Sequence, residues 1–177
     1  EEEVKTAYQE FTRYLQQNSF TVLAIDFRGH GESELDYKDF TEADWQNLVL
    51  DVDEGIEYLE EKGYTKIAVV GASIGANAGF KQAVQDDRID TLVLLSAGES
   101  YKGISILDLA LYYQKPVLFV ASMDDKDAAV AATKLYNALG TDQKDLKMYQ
   151  TGGHGTELLE TQDGLPATLV TWLQEKY

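Results

Sequence analysis

The sequence predicts an α/β fold, in which a predominantly parallel sheet carries helices on both of its faces. Two observations lead to this fold class. Apolar strand-like runs alternate with segments of helical periodicity along the 177 residues, and glycine-rich or polar loops follow several of those runs. Because the loops that follow parallel strands meet at one edge of the sheet, we expect the functional residues there.

The first half of the chain is predicted to form helix, strand, helix, strand and helix. Apolar residues recur at helical spacing over residues 4–15, and an apolar run predicts a strand at 20–25. Thr41 with Asp44 resembles a capping box, which predicts the start of the next helix. A strand at 66–70 and a helix at 74–85 follow.

The second half continues the alternation and predicts strands at 91–95, 116–121 and 145–149, with helices at 105–113 and 127–139. The last helix is predicted to begin near Pro166, because proline is well tolerated in a first helical turn. The chain contains no internal repeat and no low-complexity linker. We therefore predict a single domain over residues 1–177.

The charge and composition narrow the classes of partner. Thirty-one acidic residues against 15 basic ones give a formal charge of -16, which disfavours nucleic acids and anionic membrane surfaces. The absence of cysteine excludes disulfides and thiolate chemistry. No apolar run is long enough to predict a membrane-spanning segment. The sequence does not distinguish a cytoplasmic protein from an exported one whose N-terminal leader has been removed. It does not indicate an oligomeric state either.

A candidate nucleophile lies in Gly71-Ala72-Ser73-Ile74-Gly75, between a predicted strand and a predicted helix. In this G-x-S-x-G context, glycines two residues either side let the backbone turn sharply and present the serine at the end of the strand. The pattern alone arises by chance in about one chain in twenty of this length. A glycine-rich turn that binds a phosphate, or nothing, is the alternative, so an acid and a base are needed to distinguish the two.

The chain has two histidines, and both lie in glycine-rich loops after predicted strands. His154, in Gly152-Gly153-His154-Gly155, is the candidate base, and an exposed loop histidine is the alternative interpretation. His30 precedes the serine in sequence and is assigned to a structured turn at the rim of the site. Asp124 and Asp125 follow the strand at 116–121 and are the candidate acids, although both are also suited to capping the next helix.

These motifs make the chain similar to the α/β-hydrolases. The stretch Asp26-Phe27-Arg28-Gly29-His30-Gly31-Glu32-Ser33 resembles the D-x-R-G-x-G-x-S loop of many esterases and serine peptidases of that fold. The order serine, acid, histidine is also that of the family. The resemblance extends over essentially the whole chain and implies Asp125 as the acid, with Asp124 as the runner-up.

The resemblance implies an acyl-enzyme mechanism. Ser73 would attack a carbonyl, His154 would accept and return the proton, and Asp125 would orient His154. The backbone N–H of Ile74, the residue after the nucleophile, would donate to the oxyanion. No cofactor and no metal are implied, and the expected partner is a small-molecule acyl substrate.

Compared with the family pattern, the chain starts at the helix that follows the family's first strands, so the resemblance implies that those N-terminal strands are missing from it. In the family a further strand lies between the strands predicted here at 20–25 and 66–70, and the loop after it supplies the second oxyanion donor. A missing central strand would orphan buried backbone groups at about 1–3 kcal/mol each. We therefore expect either that the chain is N-terminally incomplete or that the two flanking strands pair directly in a rearranged sheet.

The segment 96–115 is too short for the lid domain of many relatives, so a lidless, open site is expected. His30, Leu107 and Leu111 are candidates for lining the substrate pocket, although a helix packed on the sheet explains the two leucines equally simply. The resemblance then favours a carboxylesterase-like serine hydrolase that cleaves small or accessible carboxylic esters or thioesters. The alternatives are a serine peptidase or acyltransferase on the same fold, and a catalytically silent binding protein.

Overall fold

The candidate residues are positioned by parallel strands whose ends lie at one edge of the sheet. The computed structural model describes residues 4–176, and its strands in chain order are β1 (Ile67–Ala72), β2 (Ile89–Leu95), β3 (Ser100–Tyr101), β4 (Ile104–Ser105), β5 (Val117–Ser122) and β6 (Lys144–Tyr149). Four of them form a parallel sheet in the order β1, β2, β5, β6, while β3 and β4 form a small antiparallel hairpin.

Helices cover both faces of this sheet, as the alternation in the sequence predicts. The α-helices are α1 (Gln9–Gln17), α2 (Glu42–Gln46), α3 (Leu48–Glu61), α4 (Ile74–Gln85), α5 (Lys126–Ala138), α6 (Glu157–Thr161) and α7 (Leu165–Lys176). Residues of α3, α4 and α5 pack into one apolar cluster, and residues of α1 and α7 pack into a second. The predicted α/β class, with a parallel sheet and helices on both faces, is confirmed.

The central strand β2 shows why both faces need a cover. Leu92 and Leu94 belong to the first apolar cluster, whereas Val93 and Leu95 belong to the second, and all four are fully buried. Successive side chains of a strand point to opposite faces, so a strand buried on both sides has a continuous apolar sequence. This arrangement buries both faces of the sheet, so that the loops at the ends of its strands are the places available for functional residues.

The predicted strand at 20–25 is wrong, because residues 20–27 have no regular secondary structure. Direct pairing with the neighbouring strand is wrong as well, since β1 pairs only with β2 among residues 4–176. A cavity of about 1380 Å³ is lined by residues 20–27 on one side and 66–75 on the other. An apolar sequence favours a strand only where a partner strand lies within hydrogen-bonding distance, and this segment faces a cavity instead.

Two predicted helices, the one that starts after Thr41 and the one at 105–113, differ in how well they match the structure. The capping box at Thr41 is confirmed, since the Thr41 N–H donates to Asp44 Oδ2 at 2.8 Å and the Asp44 N–H to Thr41 Oγ1 at 3.3 Å. The helix expected at 105–113 is a 3-10 helix over Leu107–Tyr112, and the hairpin before it was not predicted. The predicted single domain includes residues 1–3 and 177, which lie outside the described residues, and it stays a prediction.

Candidate active site

Ser73 lies at the turn between β1 and α4, in a strained backbone conformation. Its φ and ψ are 53° and -123°, a region that L-residues rarely adopt and that costs about 1–3 kcal/mol. The Ser73 N–H donates to the Leu95 carbonyl at 2.8 Å, which ties the turn to the end of β2. The turn therefore presents the serine side chain at the carboxyl edge of the sheet.

The glycine at the first position of the motif is required by close packing. A Cβ atom on Gly71 would lie 2.5 Å from the Gly75 carbonyl oxygen, and backbone there has no room to move aside. A Cβ on Gly75 would lie 3.2 Å from the Phe27 ring, which is tight but less severe. The glycines predicted from the motif thus permit the close approach of strand and helix that the turn needs.

The structure brings Ser73, His154 and Asp125 together. The distance from His154 Nε2 to Ser73 Oγ is 2.8 Å, and the distance from His154 Nδ1 to Asp125 Oδ2 is 2.6 Å. The side chain of His154 is 41% exposed and that of Asp125 is 16% exposed, so the imidazole reaches the cavity while the carboxylate is held behind it. A serine hydroxyl, a base and an acid in this chain of hydrogen bonds have the geometry of an activated nucleophile.

Asp124 and Asp125 differ in what they contact. Asp125 contacts the imidazole, whereas Asp124 accepts hydrogen bonds from the backbone N–H groups of Gly152 at 3.1 Å and Gly153 at 3.4 Å. Hydrogen bonding with the Ser122 side chain, and then with these two N–H groups, lowers the pKa of Asp124 from its ordinary value. Of the two candidate acids, the runner-up thus holds the loop that carries the histidine.

Three further side chains anchor the His154 loop. The Ser122 hydroxyl donates to the Gly153 carbonyl at 2.7 Å, and the His154 N–H donates to Glu157 Oε2 at 2.9 Å. The Gly155 N–H donates to the Ser96 hydroxyl at 2.9 Å. Loops that carry reactive groups need such support if the side chain is to stay in one place. Sequence reasoning missed these anchors, although Ser96 and Ser122 each sit directly at the end of a strand.

The predicted oxyanion donor is the first residue of α4. As the first residue of a helix, Ile74 has an N–H without an acceptor inside the helix, and the helix dipole favours negative charge there. This N–H directly follows the nucleophile, as the motif requires. The geometry is compatible with one donor to an oxyanion.

The Asp26 to Ser33 loop is held by its own motif residues. Asp26 accepts hydrogen bonds from the Lys5 N–H at 2.7 Å and the Glu32 N–H at 3.2 Å, and its carbonyl accepts from the Ser33 hydroxyl at 2.7 Å. Arg28 forms a forked ion pair with Asp51 of α3, at 2.6 Å and 2.8 Å. The aspartate, arginine and serine of this motif therefore shape the loop and dock it on α3.

The same cavity reaches the candidate site, because Ser73 and His154 are among its lining residues. His30 also lines it and stacks on Tyr37, with ring centroids 5.0 Å apart. Leu107 and Leu111 do not line it, so their predicted position at the substrate pocket is wrong. The reason is that Leu107 packs against the hydrophobic core, whereas Leu111 is 63% exposed to solvent.

Within residues 4–176, no three His, Cys, Asp or Glu side chains are grouped so as to hold a metal ion. None of the helices in that range combines the length and the apolar character needed to cross a bilayer.

Comparison with known proteins gives the family. A family described as serine aminopeptidase, S33, matches residues 2–111. A carboxylesterase from Bacillus subtilis is 23% identical over 199 residues, which cover 85% of this chain and 80% of that protein.

Solved structures show the same fold at low sequence identity. A monoacylglycerol lipase from Paleococcus ferrophilus matches with a TM-score of 0.81 and 16% identity, over 99% of this chain and 91% of that one. An esterase from Pyrococcus furiosus matches with a TM-score of 0.80 and 17% identity, over 96% of this chain and 77% of that one. The likeness extends over nearly all of the chain and confirms the predicted α/β-hydrolase type of fold.

Proposed function

This chain belongs to the serine aminopeptidase S33 family of α/β-hydrolases, and on that basis we propose that it cleaves small or accessible carboxylic esters or thioesters with Ser73 as nucleophile. The observation that supports this most strongly is the continuous hydrogen-bond chain from Ser73 through His154 to Asp125, with distances of 2.8 Å and 2.6 Å. Residues that are far apart in sequence meet there in the order a triad requires.

The proposed reaction has two halves. Ser73 Oγ attacks the acyl carbon while His154 Nε2 takes the hydroxyl proton, and the tetrahedral intermediate collapses as His154 returns that proton to the leaving alcohol or thiol. A water then attacks the acyl-enzyme and loses a proton to His154, which returns that proton to Ser73 Oγ as the acid leaves. Asp125 holds the imidazole in the right orientation and stabilises its charged form. The Ile74 N–H stabilises the oxyanion in both halves.

Ester cleavage is favoured by the names of the similar proteins. A carboxylesterase, an esterase and a monoacylglycerol lipase are among them, and all act on esters by name. A small acyl substrate also fits a site in which segment 96–115 forms only a hairpin and a 3-10 helix. We assign the chain to lidless esterases on these grounds.

Peptide cleavage is the second candidate. The family's own description is serine aminopeptidase, and the same hydrogen-bond chain serves both reactions. Glu157 and Glu160 also line the cavity, and carboxylates there suit a positively charged α-amino group. Relative turnover of ester and amide substrates decides between the two.

The test is labelling with a fluorophosphonate probe together with hydrolysis of p-nitrophenyl acetate and an aminoacyl p-nitroanilide. We expect wild type to be labelled, and Ser73→Ala to lose labelling and about 10⁴-fold or more of its turnover. Ser105→Ala, which alters an exposed serine of β4, is the matched control and should behave as wild type. Equal labelling of Ser73→Ala and wild type would overturn the nucleophile assignment. Faster amide than ester turnover would favour the peptidase.

A further inference from the structure

The β3–β4 hairpin brings an aromatic side chain to the candidate site. Its two-residue turn, Lys102 and Gly103, has φ values of 48° and 82°, as a tight hairpin with a type I′ turn requires. Tyr101 precedes the turn and lines the cavity together with Ser73 and His154. Lys102 lies over the Trp45 ring at 5.2 Å, which fastens the tip of the hairpin to the opposite side.

A buried asparagine fixes the base of the hairpin. Asn77 of α4 is fully buried, and its side-chain amide donates to the carbonyls of Gly98 at 3.0 Å and Ile104 at 2.9 Å. Its side-chain oxygen accepts from the Gly98 N–H at 3.1 Å. A buried amide with satisfied hydrogen bonds holds its partners in one geometry. Both ends of the hairpin are therefore tied to the helix that starts at the nucleophile.

Tyr101 packs against the candidate base. Its ring meets the His154 ring edge-on, with centroids 6.3 Å apart and an interplanar angle of 88°. The Tyr101 hydroxyl donates to the Ser96 carbonyl at 3.3 Å, and the Ser96 hydroxyl accepts from the Gly155 N–H at 2.9 Å. One residue at the end of β2 thus fixes both the tyrosine and the histidine loop.

The electrostatics of Tyr101 agree with this placement. Burial raises the pKa of Tyr101, and the negative charges of Asp125 and Asp127 raise it further, while hydrogen bonding with the Ser73 hydroxyl acts in the opposite direction. The phenol is therefore neutral in ordinary buffers and lies beside both the serine and the acid. A neutral aromatic group at this point supports the histidine without competing for its proton.

We propose that Tyr101 is a positioning residue for the hydrolysis: its ring holds the His154 imidazole in the orientation that keeps Nε2 on Ser73 Oγ. This inference rests on the proposed serine-hydrolase function. The hydroxyl orients the ring through Ser96, and Asn77 and Gly98 set the position of the hairpin that carries it. The role is assigned to the ring because the ring lies edge-on to the imidazole, whereas the hydroxyl interacts with the Ser96 carbonyl and the Ser73 hydroxyl.

The first test separates the ring from the hydroxyl. Tyr101→Leu removes the ring and should lower kcat about 10- to 100-fold with KM changed less than about twofold, because small misplacements of a reacting group have effects of that size. Tyr101→Phe keeps the ring and should restore kcat to within about threefold of wild type. Tyr112→Leu, which alters a tyrosine that is 69% exposed, is the control for a general loss of tyrosine and should match wild type.

The second test moves the ring without removing it. A Cβ atom on Gly98 would lie 2.7 Å from Tyr101 Cε2, and its nearest contacts are all atoms of that ring. Gly98→Ala should therefore displace Tyr101 and lower kcat by about 10-fold in wild type. In the Tyr101→Leu background the same change should have little further effect, a non-additivity expected of coupled residues.

Three results would overturn the inference. They are wild-type kcat in Tyr101→Leu, a change in KM with kcat retained, and equal losses of kcat in Tyr101→Phe and Tyr101→Leu. Melting temperatures of all variants show whether a loss of kcat reflects unfolding. The single variant Gly98→Ala still tests the inference if Tyr101→Leu folds poorly, because it keeps the ring and only moves it. If Ser73→Ala keeps full labelling, the proposed function fails. If Ser73 is required while Tyr101→Leu turns over as wild type, only this inference fails.

Discussion

The two histidines of this chain lie in loops that look alike in sequence and differ in their surroundings. Gly29-His30-Gly31 and Gly153-His154-Gly155 each place the histidine between glycines, and all four glycines have positive φ, between 55° and 74°. Each loop is also held by an aspartate that accepts backbone N–H groups, Asp26 in one case and Asp124 in the other.

What differs is the contact that each imidazole makes. His154 Nδ1 and Nε2 contact Asp125 and Ser73, whereas His30 Nδ1 contacts the Arg28 carbonyl and its ring stacks on Tyr37. One loop follows β6 of the parallel sheet, and the other follows the irregular segment 20–27. Flanking glycines therefore determine only the local conformation of the loop. The chemistry of the histidine depends on which element the loop follows and on the side chains it meets there.

The largest expected effect separates the two histidines. His154→Gln removes the proposed base and should lower kcat about 10⁴-fold. His30→Gln should change kcat/KM less than about 10-fold and act mainly through KM, because His30 lines the cavity without contacting Ser73. Steady-state kinetics with a p-nitrophenyl ester, run on both variants with melting temperatures as a folding control, give the comparison. Equal losses in the two variants would contradict it.

A second comparison concerns the adjacent aspartates. Asp125→Asn should lower kcat about 10³- to 10⁴-fold, since the imidazole loses the carboxylate that orients it. Asp124→Asn should cost about 10-fold or less, because it weakens two hydrogen bonds to the histidine loop and leaves the Asp125 contact in place. The measurement is kcat for each variant at one pH. A larger loss in Asp124→Asn would reverse the proposed roles.

The smallest expected effect is the acid response of the two loops. Burial tends to raise the pKa of Asp26, but hydrogen bonds from the Lys5 and Glu32 N–H groups outweigh it and lower the pKa from 3.8. The pKa of Asp124 is also lowered from 3.8. Carboxyls with a depressed folded-state pKa stabilise the fold above the unfolded value, and that stabilisation is lost as the pH falls through the folded value.

We therefore expect both loops to keep their hydrogen bonds down to about pH 3.8 and to lose them below it. Amide resonances of Glu32 and Gly152, followed by NMR through an acid titration, report the two loops separately. In Asp124→Asn the Gly152 transition should disappear while that of Glu32 persists. A transition of wild-type Gly152 above pH 3.8 would be inconsistent with the hydrogen bonds described.

Much of the architecture was predictable because it depends on local patterns. Continuous apolar runs predict strands buried on both faces, and the parallel strands at 67–72, 89–95 and 117–122 follow from them. The edge strand at 144–149 instead alternates between more and less exposed residues. The helix at Ile74–Gln85 matches its predicted bounds, since the Ser73 turn marks its start. These features depend on residues a few positions apart, so the sequence contains what is needed to predict them.

The errors have a common cause. The apolar run at 20–25 has the composition of a strand, but strand formation needs a neighbour to supply hydrogen bonds, and the segment faces a cavity. Leu107 and Leu111 have helical spacing, but spacing does not say which surface a short helix covers. Both errors concern contacts with distant parts of the chain.

By itself, the sequence determined the α/β class, the strained serine turn between a strand and a helix, and the few acids and histidines that were candidates for a site. Only the tertiary structure decided that Asp125 and not Asp124 contacts the imidazole, that His154 and not His30 reaches Ser73, and that Tyr101 lies against that histidine. The physical reason is that residues 29 and 81 positions apart meet through the strand order β1, β2, β5, β6 and the packing of loops at their ends. Propensity and spacing act over one turn of helix or one strand, whereas those contacts are fixed by the burial of the whole sheet.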